Sequence, residues 1–363
     1  MSTLKHNLDE IQRKAKERTV RTQNIEYDLE TLVKKIDKNI IKLNPDYQRR
    51  HRWDESTASK LIESLILNIP IPLIYISQDV DVDEEVDEDI ARYSVIDGQQ
   101  RLTAIQNFFK NEYALVDLDV LKELNGTFYK DLPSFLIRRL EERTIKCLRI
   151  DSTIDQQVKY DIFERLNSGS VKLEAQELRN ATCRGPFKEL IKKLSKNKIF
   201  TKLAQLDTTG KRVQKMEDQE LVLRFFSLVY KDGYQSYKGG FKQFLTDKMN
   251  LFNSLDTSEL IIMEKTFNDV ITFIEQHYGD EPFAKYRVNE EGEYERMSKF
   301  NAAVYDAVVV SISKKLTDDP EMDITYDRFK EIFKDKDFFS SIEGSVNDVK
   351  KLQVRIEKAL EVI

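Results

Sequence analysis

Asp97-Gly98-Gln99-Gln100-Arg101 is the segment of this sequence whose residue types and order suggest chemistry most directly. The apolar run Tyr93 to Ile96 leads into it, and Leu102, Ile105, Phe108 and Phe109 follow at helical spacing. It therefore reads as a strand, a tight turn and a helix. A glycine lets backbone approach a ligand closely, and a helix start offers N–H groups and a positive dipole end. Arg101 falls in the first turn, where a guanidinium can fork two hydrogen bonds onto a phosphate. Asp97 can hold a hydrated Mg²⁺ beside that phosphate. The same residues also fit a plain turn, with Asp97 capping the helix and Arg101 paired to a carboxylate. The residue pattern leaves both readings open.

Two further segments carry polar groups in suggestive combinations. Tyr47-Gln48-Arg49-Arg50-His51-Arg52-Trp53 joins basic residues to the only tryptophan. Such a mixture can bind a nucleotide or an unstacked base, or form an exposed basic loop anchored by one buried Trp. Phe163-Glu164-Arg165-Leu166-Asn167-Ser168-Gly169 places Arg165 and Asn167 at a helix end beside a glycine. These two supply donors to a base or phosphate, or simply cap the helix.

The elements that must position these groups follow from hydrophobic spacing. Order begins near Tyr27, and Leu29 to Ile41 reads as a helix with Leu29, Leu32, Val33, Ile36 and Ile40 on one face. A second helix, capped by Asp54 or Ser56, carries Leu61, Ile62, Leu65 and Ile66, and is ended by Asn68, Pro70 and Pro72. Leu73 to Ser77 and Tyr93 to Ile96 are apolar strands. Between them lies the carboxylate-rich run Asp79 to Asp89, which reads as an exposed hairpin tip. It has no glycine for an EF-hand turn, so a metal site is the lesser alternative. Ile145 to Ile150 is another strand and Gln156 to Leu166 another helix. Beyond about Leu173 the strand signal fades, and helical stripes recur at 174–181, 187–194, 217–230, 241–252, 258–278, 298–316 and 346–363.

The expected organisation is α+β: a basic arm over residues 1–21, a mixed domain over 22–180, and a mostly α-helical domain over 181–363. Only 11 Gly and 7 Pro in 363 residues argue against an all-β sandwich. The formal net charge of −6 argues against a global electrostatic grip on DNA. Any nucleic-acid contact is then local, with the arm Lys5 to Arg21 as the candidate. No apolar run reaches membrane-span length and the start lacks a signal-peptide core, so a cytoplasmic protein with no membrane partner is expected. Cys147 and Cys183 lack metal-ligand spacing and read as structural. His6, His51 and His277 are scattered, so a histidine-dependent HNH nuclease centre is not expected. No Walker A loop, dinucleotide fingerprint or G-x-S-x-G elbow is visible.

Read in order, NPDYQRRHRW, LIESLILNIPIPLIYIS, YSVIDGQQRLTAIQNFF and FERLNSGSVKLEAQELRNA resemble the N-terminal domain family of GmrSD-type modification-dependent restriction enzymes, over roughly residues 25–185. The resemblance implies a ParB/sulfiredoxin-like fold and a nucleotide-phosphate site at Asp97, Gly98, Gln99, Gln100 and Arg101. It assigns Gln48 and Arg49 to the family's basic pair and Trp53 to its aromatic. Arg165, Asn167 and Gly169 match the second motif, followed by Gln176, Glu177 and Arg179. The chain departs from the family in having Gly169-Ser170 where Gly-Gly is frequent. It also resembles a stand-alone member without an HNH domain, so DNA cleavage by this chain alone is not expected. The implied activity is binding and hydrolysis of a nucleoside triphosphate with Mg²⁺, in a bacterial anti-phage or DNA-transaction setting, with Asp97 and Arg101 as catalytic groups. The alternative is a non-enzymatic binder of nucleic acid or of a partner nuclease. Homo-oligomerisation is left open.

Replacing Asp79 to Asp89 by a two-residue Asn-Gly turn tests the hairpin-tip reading. Because loop-closure cost grows slowly with length, the stability measured by urea unfolding should change by less than about 1 kcal/mol. A loss of several kcal/mol, or a calcium-dependent rise in the parent's melting temperature, would contradict it.

Overall fold

A computed structural model describes residues 20–43, 53–78, 92–151, 162, 165, 174–183, 185–319, 322 and 324–363. The acidic run, the arm before residue 20, and Gln48, Arg49, Asn167 and Gly169 lie outside the described residues. The chain forms two compact units, Met1–Leu173 and Glu174–Ile363, with α+β architecture.

In the first unit five strands form one mixed sheet in the order β1-β5-β3-β4-β2. They are β1 (Thr22–Asp28), β2 (Ile41–Lys42), β3 (Ile74–Gln78), β4 (Tyr93–Asp97) and β5 (Thr144–Ile150). β3 pairs antiparallel with β4, Gln78 opposite Tyr93, so the strands flanking the acidic run are the two arms of a hairpin. β5 lies parallel to β3 and antiparallel to β1. Four helices pack with this sheet around one core: α1 (Leu29–Asp37), α2 (Glu55–Ile66), α3 (Gln99–Phe109) and α4 (Ser134–Glu141).

Two of these helices start where the sequence supplies a capping carboxylate. Asp28 caps α1 through Thr31 N at 2.7 Å, and Asp54 caps α2 through Thr57 N at 2.8 Å. Of the two caps expected for α2, Asp54 is thus the one used. α2 also pins the segment after α3. Its buried Glu63 accepts backbone N–H groups from Val120 at 2.8 Å and Leu121 at 2.7 Å, and Ser59 Oγ accepts Val116 N at 3.0 Å. A carboxylate taking several backbone donors satisfies a loop that has no ladder of its own.

The second unit is helical apart from a hairpin that the helical stripes do not foreshadow. Its helices are α5 (Ala175–Thr182), α6 (Pro186–Leu194), α7 (Lys198–Leu203), α8 (Lys211–Gln214), α9 (Glu217–Val229), α10 (Gly233–Ser236), α11 (Phe241–Asn253) and α12 (Thr257–Tyr278). After the hairpin β6 (Lys285–Val288) and β7 (Tyr294–Ser298) come α13 (Ala302–Asp318), α14 (Tyr326–Lys330), α15 (Lys336–Ser341) and α16 (Val349–Val362). α13 is buried at every position from Ala303 to Ser313, as a helix apolar on all sides must be. No described helix is long and apolar enough to cross a membrane.

The one charge inside that buried stretch of α13, Asp306, is answered from two other helices. Arg224 of α9 meets both its carboxylate oxygens, the Nη2–Oδ2 contact at 2.5 Å, and Arg355 of α16 also donates to Oδ2. Arg355 Nη1 donates to Val346 O at 2.5 Å, and Arg224 stacks on the Phe241 ring at 4.2 Å. Removing the carboxylate would leave two buried guanidinium groups without their counter-charge. Breaking a buried pair in this way costs roughly 3–5 kcal/mol. Asp306→Asn should therefore lose about that much stability in urea unfolding, and a loss below about 1 kcal/mol would show that the triad contributes little.

Candidate nucleotide-phosphate site

Gly98 stands between the last residue of β4 and the first of α3, with φ of +96°. Only glycine enters that left-handed region without strain. Leu102 N donates to Gly98 O at 2.9 Å, the first rung of the helix, and Gly98 at the N-cap position has no side chain with which to cap it. The first-turn N–H groups of a helix have no acceptor within the helix, and the helix dipole places a partial positive charge at this end. Asp97, by contrast, does not cap α3, which removes one half of the plain-turn reading.

The other half is present. Arg101 Nη2 donates to Asp97 Oδ2 at 2.9 Å and to Leu73 O at 3.2 Å, and Nη1 donates to Pro72 O. The Arg101 side chain is 11% exposed and that of Asp97 31%. Burial lowers the Arg101 pKa from its ordinary value, while the neighbouring Asp97 charge pulls it back up. The guanidinium thus clasps the segment entering β3 to the turn leaving β4. The apolar stripe of α3 suggests that Arg101 is dispensable to the fold, but these three bonds make it a brace as well as a candidate clamp.

The described geometry brings Asp97, Gly98, Gln99, Gln100 and Arg101 into one turn. Gln100 ties in a further expected residue, because its Oε1 accepts the backbone N–H of Trp53 at 3.3 Å. Trp53 itself is 38% exposed, so it is not the buried anchor of a basic loop. Its ring is open to contact instead. Arg165 is an exposed helical residue. Gln176, Glu177 and Arg179, which follow the second motif, are buried and structural. Arg179 donates to Gln176 Oε1 at 2.9 Å and Glu220 Oε2 at 2.8 Å, and Glu177 accepts from Glu174 N in a capping box.

Residue spacing did not point to Pro72 and Leu73, whose carbonyls hold Arg101 from 29 and 28 positions away. The available signal was the Ile69 to Leu73 stretch, where two prolines enforce extended backbone. Beneath the turn, Cys147 of β5 is buried, and burial pushes its thiol up to about 12, against the opposing charge of Arg101. That makes it an inert core group at neutral pH. Among the described residues no three His, Cys, Asp or Glu side chains gather as a metal site. Any Mg²⁺ here would rely on Asp97 together with phosphate and water, a ligand set that this ion commonly accepts.

Residues 29–183 match the family model of the GmrSD restriction endonuclease, N-terminal domain. The matched stretch includes the whole turn. Searches of curated proteins and of solved structures returned no match.

Gly98→Ala tests the turn. A Cβ at position 98 would lie 2.3 Å from Cδ1 of Ile74, a fully buried side chain. Left-handed strain of about 1–2 kcal/mol and overpacking of about 1–3 kcal/mol should together lower stability by roughly 2–5 kcal/mol in urea unfolding. A loss below about 0.5 kcal/mol would mean that the turn relaxes freely.

Proposed function

Starting from residues 29–183 as a GmrSD-type N-terminal domain, which sets the chain in a restriction and phage-defence context, we propose that this domain has a ParB-like fold and binds a nucleoside triphosphate with Mg²⁺ at the Asp97–Arg101 turn and hydrolyses it. The observation that carries the reading is the left-handed Gly98 at the start of α3, with a largely buried guanidinium three residues on, held by three hydrogen bonds. In this reading the backbone of Gly98 and Gln99 receives phosphate oxygens, Gln100 positions the chain at Trp53, and Arg101 clamps the phosphate. Asp97 holds the hydrated cation or orients water. Gln48, Arg49, Arg165 and Asn167 complete the nucleotide contacts, the two arginines neutralising charge that develops on the leaving group. Bound Mg²⁺ would supply charge neutralisation on the phosphates. The setting is cytoplasmic, with DNA or a partner nuclease downstream.

One observation favours a second reading. The clasp on Pro72 O, Leu73 O and Asp97 gives Arg101 a complete structural task. The domain would then be a non-enzymatic binder of nucleic acid or of a nuclease.

Calorimetric titration with each of the four NTPs plus Mg²⁺, alongside melting curves, separates the two. A charge-assisted bond to phosphate is worth roughly 1.5–3 kcal/mol, so Arg101→Ala should weaken binding by about one to two powers of ten. Arg101→Lys should recover only part of it, because a point charge lacks the planar fork. Both variants should also melt several degrees lower, since the clasp is lost. A folded parent that binds none of the four, or a mutant with the parent's affinity, would contradict the proposal.

A further inference from the structure

The Arg101–Asp97 contact carries a consequence for how ligands enter the turn, one that rests on the nucleotide reading above. Two donors on Nη2 and one on Nη1 are in use. A phosphate reaching the guanidinium would therefore meet a carboxylate already at hydrogen-bond distance, 2.9 Å from Nη2. With Asp97 negative and partly buried, that approach is repulsive. A cation alone fares no better, because Asp97 Oδ2 is already paired with Arg101 and no cluster of three candidate ligands gathers among the described residues.

We propose that nucleotide phosphate and a divalent cation bind this turn as mutually dependent ligands, because each takes one member of the Arg101–Asp97 ion pair. Arg101 exchanges the carboxylate for phosphate, and Asp97 exchanges the guanidinium for the cation. Neither exchange is favourable alone, since each strands a partner charge in a half-buried turn. Together they replace one ion pair by two. Arg101 keeps its hold on the Pro72 and Leu73 carbonyls through the exchange, so the brace on the segment before β3 need not open. Coupling of this kind is reciprocal: the factor by which the cation tightens nucleotide is the factor by which nucleotide tightens the cation. The pair also serves as a filter. Inorganic anions without a bound cation are turned away by Asp97, and a free cation meets an Asp97 already paired with Arg101.

The test compares nucleotide affinity, measured calorimetrically with a non-hydrolysable triphosphate, in Mg²⁺ and in EDTA, for the parent and for Asp97→Asn. The amide keeps the shape and an oxygen acceptor for Arg101 but removes the charge. In the parent, Mg²⁺ should tighten binding by a factor within the roughly 5–150-fold range typical of coupled sites. In Asp97→Asn the ratio should fall to within about threefold of unity, and affinity in EDTA should exceed the parent's by about tenfold or more, or 1.4 kcal/mol. Asp97→Ser, which removes the carboxylate without placing an amide at the turn, should show the same pattern and serves if the first variant melts below the working temperature. An unchanged Mg²⁺ ratio in the folded variants, with the parent still binding nucleotide, would overturn the exchange and leave the nucleotide reading standing. Failure of the parent to bind in either buffer would overturn the nucleotide reading itself.

Discussion

A single left-handed residue sets the geometry on which the N-terminal unit turns. Gly98 closes β4 and opens α3 within one peptide, and the space beside it is filled by Ile74 from the neighbouring strand. Because β3 lies between β4 and β5, the close fit of Gly98 to Ile74 sets the helix start against the middle of the sheet. Arg101, in the first turn of α3, then reaches back to the carbonyls just before Ile74. The turn, the strand beside it and the extended segment before that strand are thereby locked as one piece. A ligand site built on such a piece is pre-organised, which reduces the ordering cost of binding.

Elsewhere buried polar groups do the same kind of work, each answering a specific unpaired demand. Glu63 supplies acceptors to a loop whose backbone has no strand partner. Arg179 joins α5 to α9 through Glu220 and reaches Thr246 and the Lys242 carbonyl in α11. Asp306 gathers two arginines from α9 and α16. Hydrophobic area drives the burial of these helices, while directional groups select one arrangement among the many that would bury similar area. The family-matched stretch ends at residue 183, just past α5. Its last helix therefore belongs to the helical unit, and Gln176, Glu177 and Arg179 serve that unit's packing rather than a ligand.

What was legible in the sequence is what local pattern encodes. The strand-glycine-helix at 93–109, the Asp54 cap and most long helices of the second unit fall within a few residues of their expected positions, because apolar spacing and caps are local signals. β1 was not legible: TQNIEYD is an edge strand with most residues exposed, so it lacks the alternation that marks a half-buried strand. The β6–β7 hairpin is largely exposed as well, and its charged residues resemble those of a loop. Long-range polar pairings were hidden for a different reason. Arg101 with Pro72, or Arg224 with Asp306, joins residues that only the tertiary fold makes neighbours. Asp306 alone gave notice of itself, as one carboxylate inside AAVYDAVVV, where a charge must find a partner. The roles of Gln48, Arg49 and Asn167 rest on the resemblance, since they lie outside the described residues.

The central claim is that the Gly98–Arg101 turn receives nucleotide phosphate. The measurement that tests it most directly is a crystal structure of the full chain with Mg²⁺ and a non-hydrolysable triphosphate. Phosphate oxygens should lie at the start of α3, with Arg101 bonded to one of them and the guanidinium and carboxylate of residues 101 and 97 no longer paired. Nucleotide bound elsewhere, with Arg101 still on Asp97, Pro72 and Leu73, would contradict it.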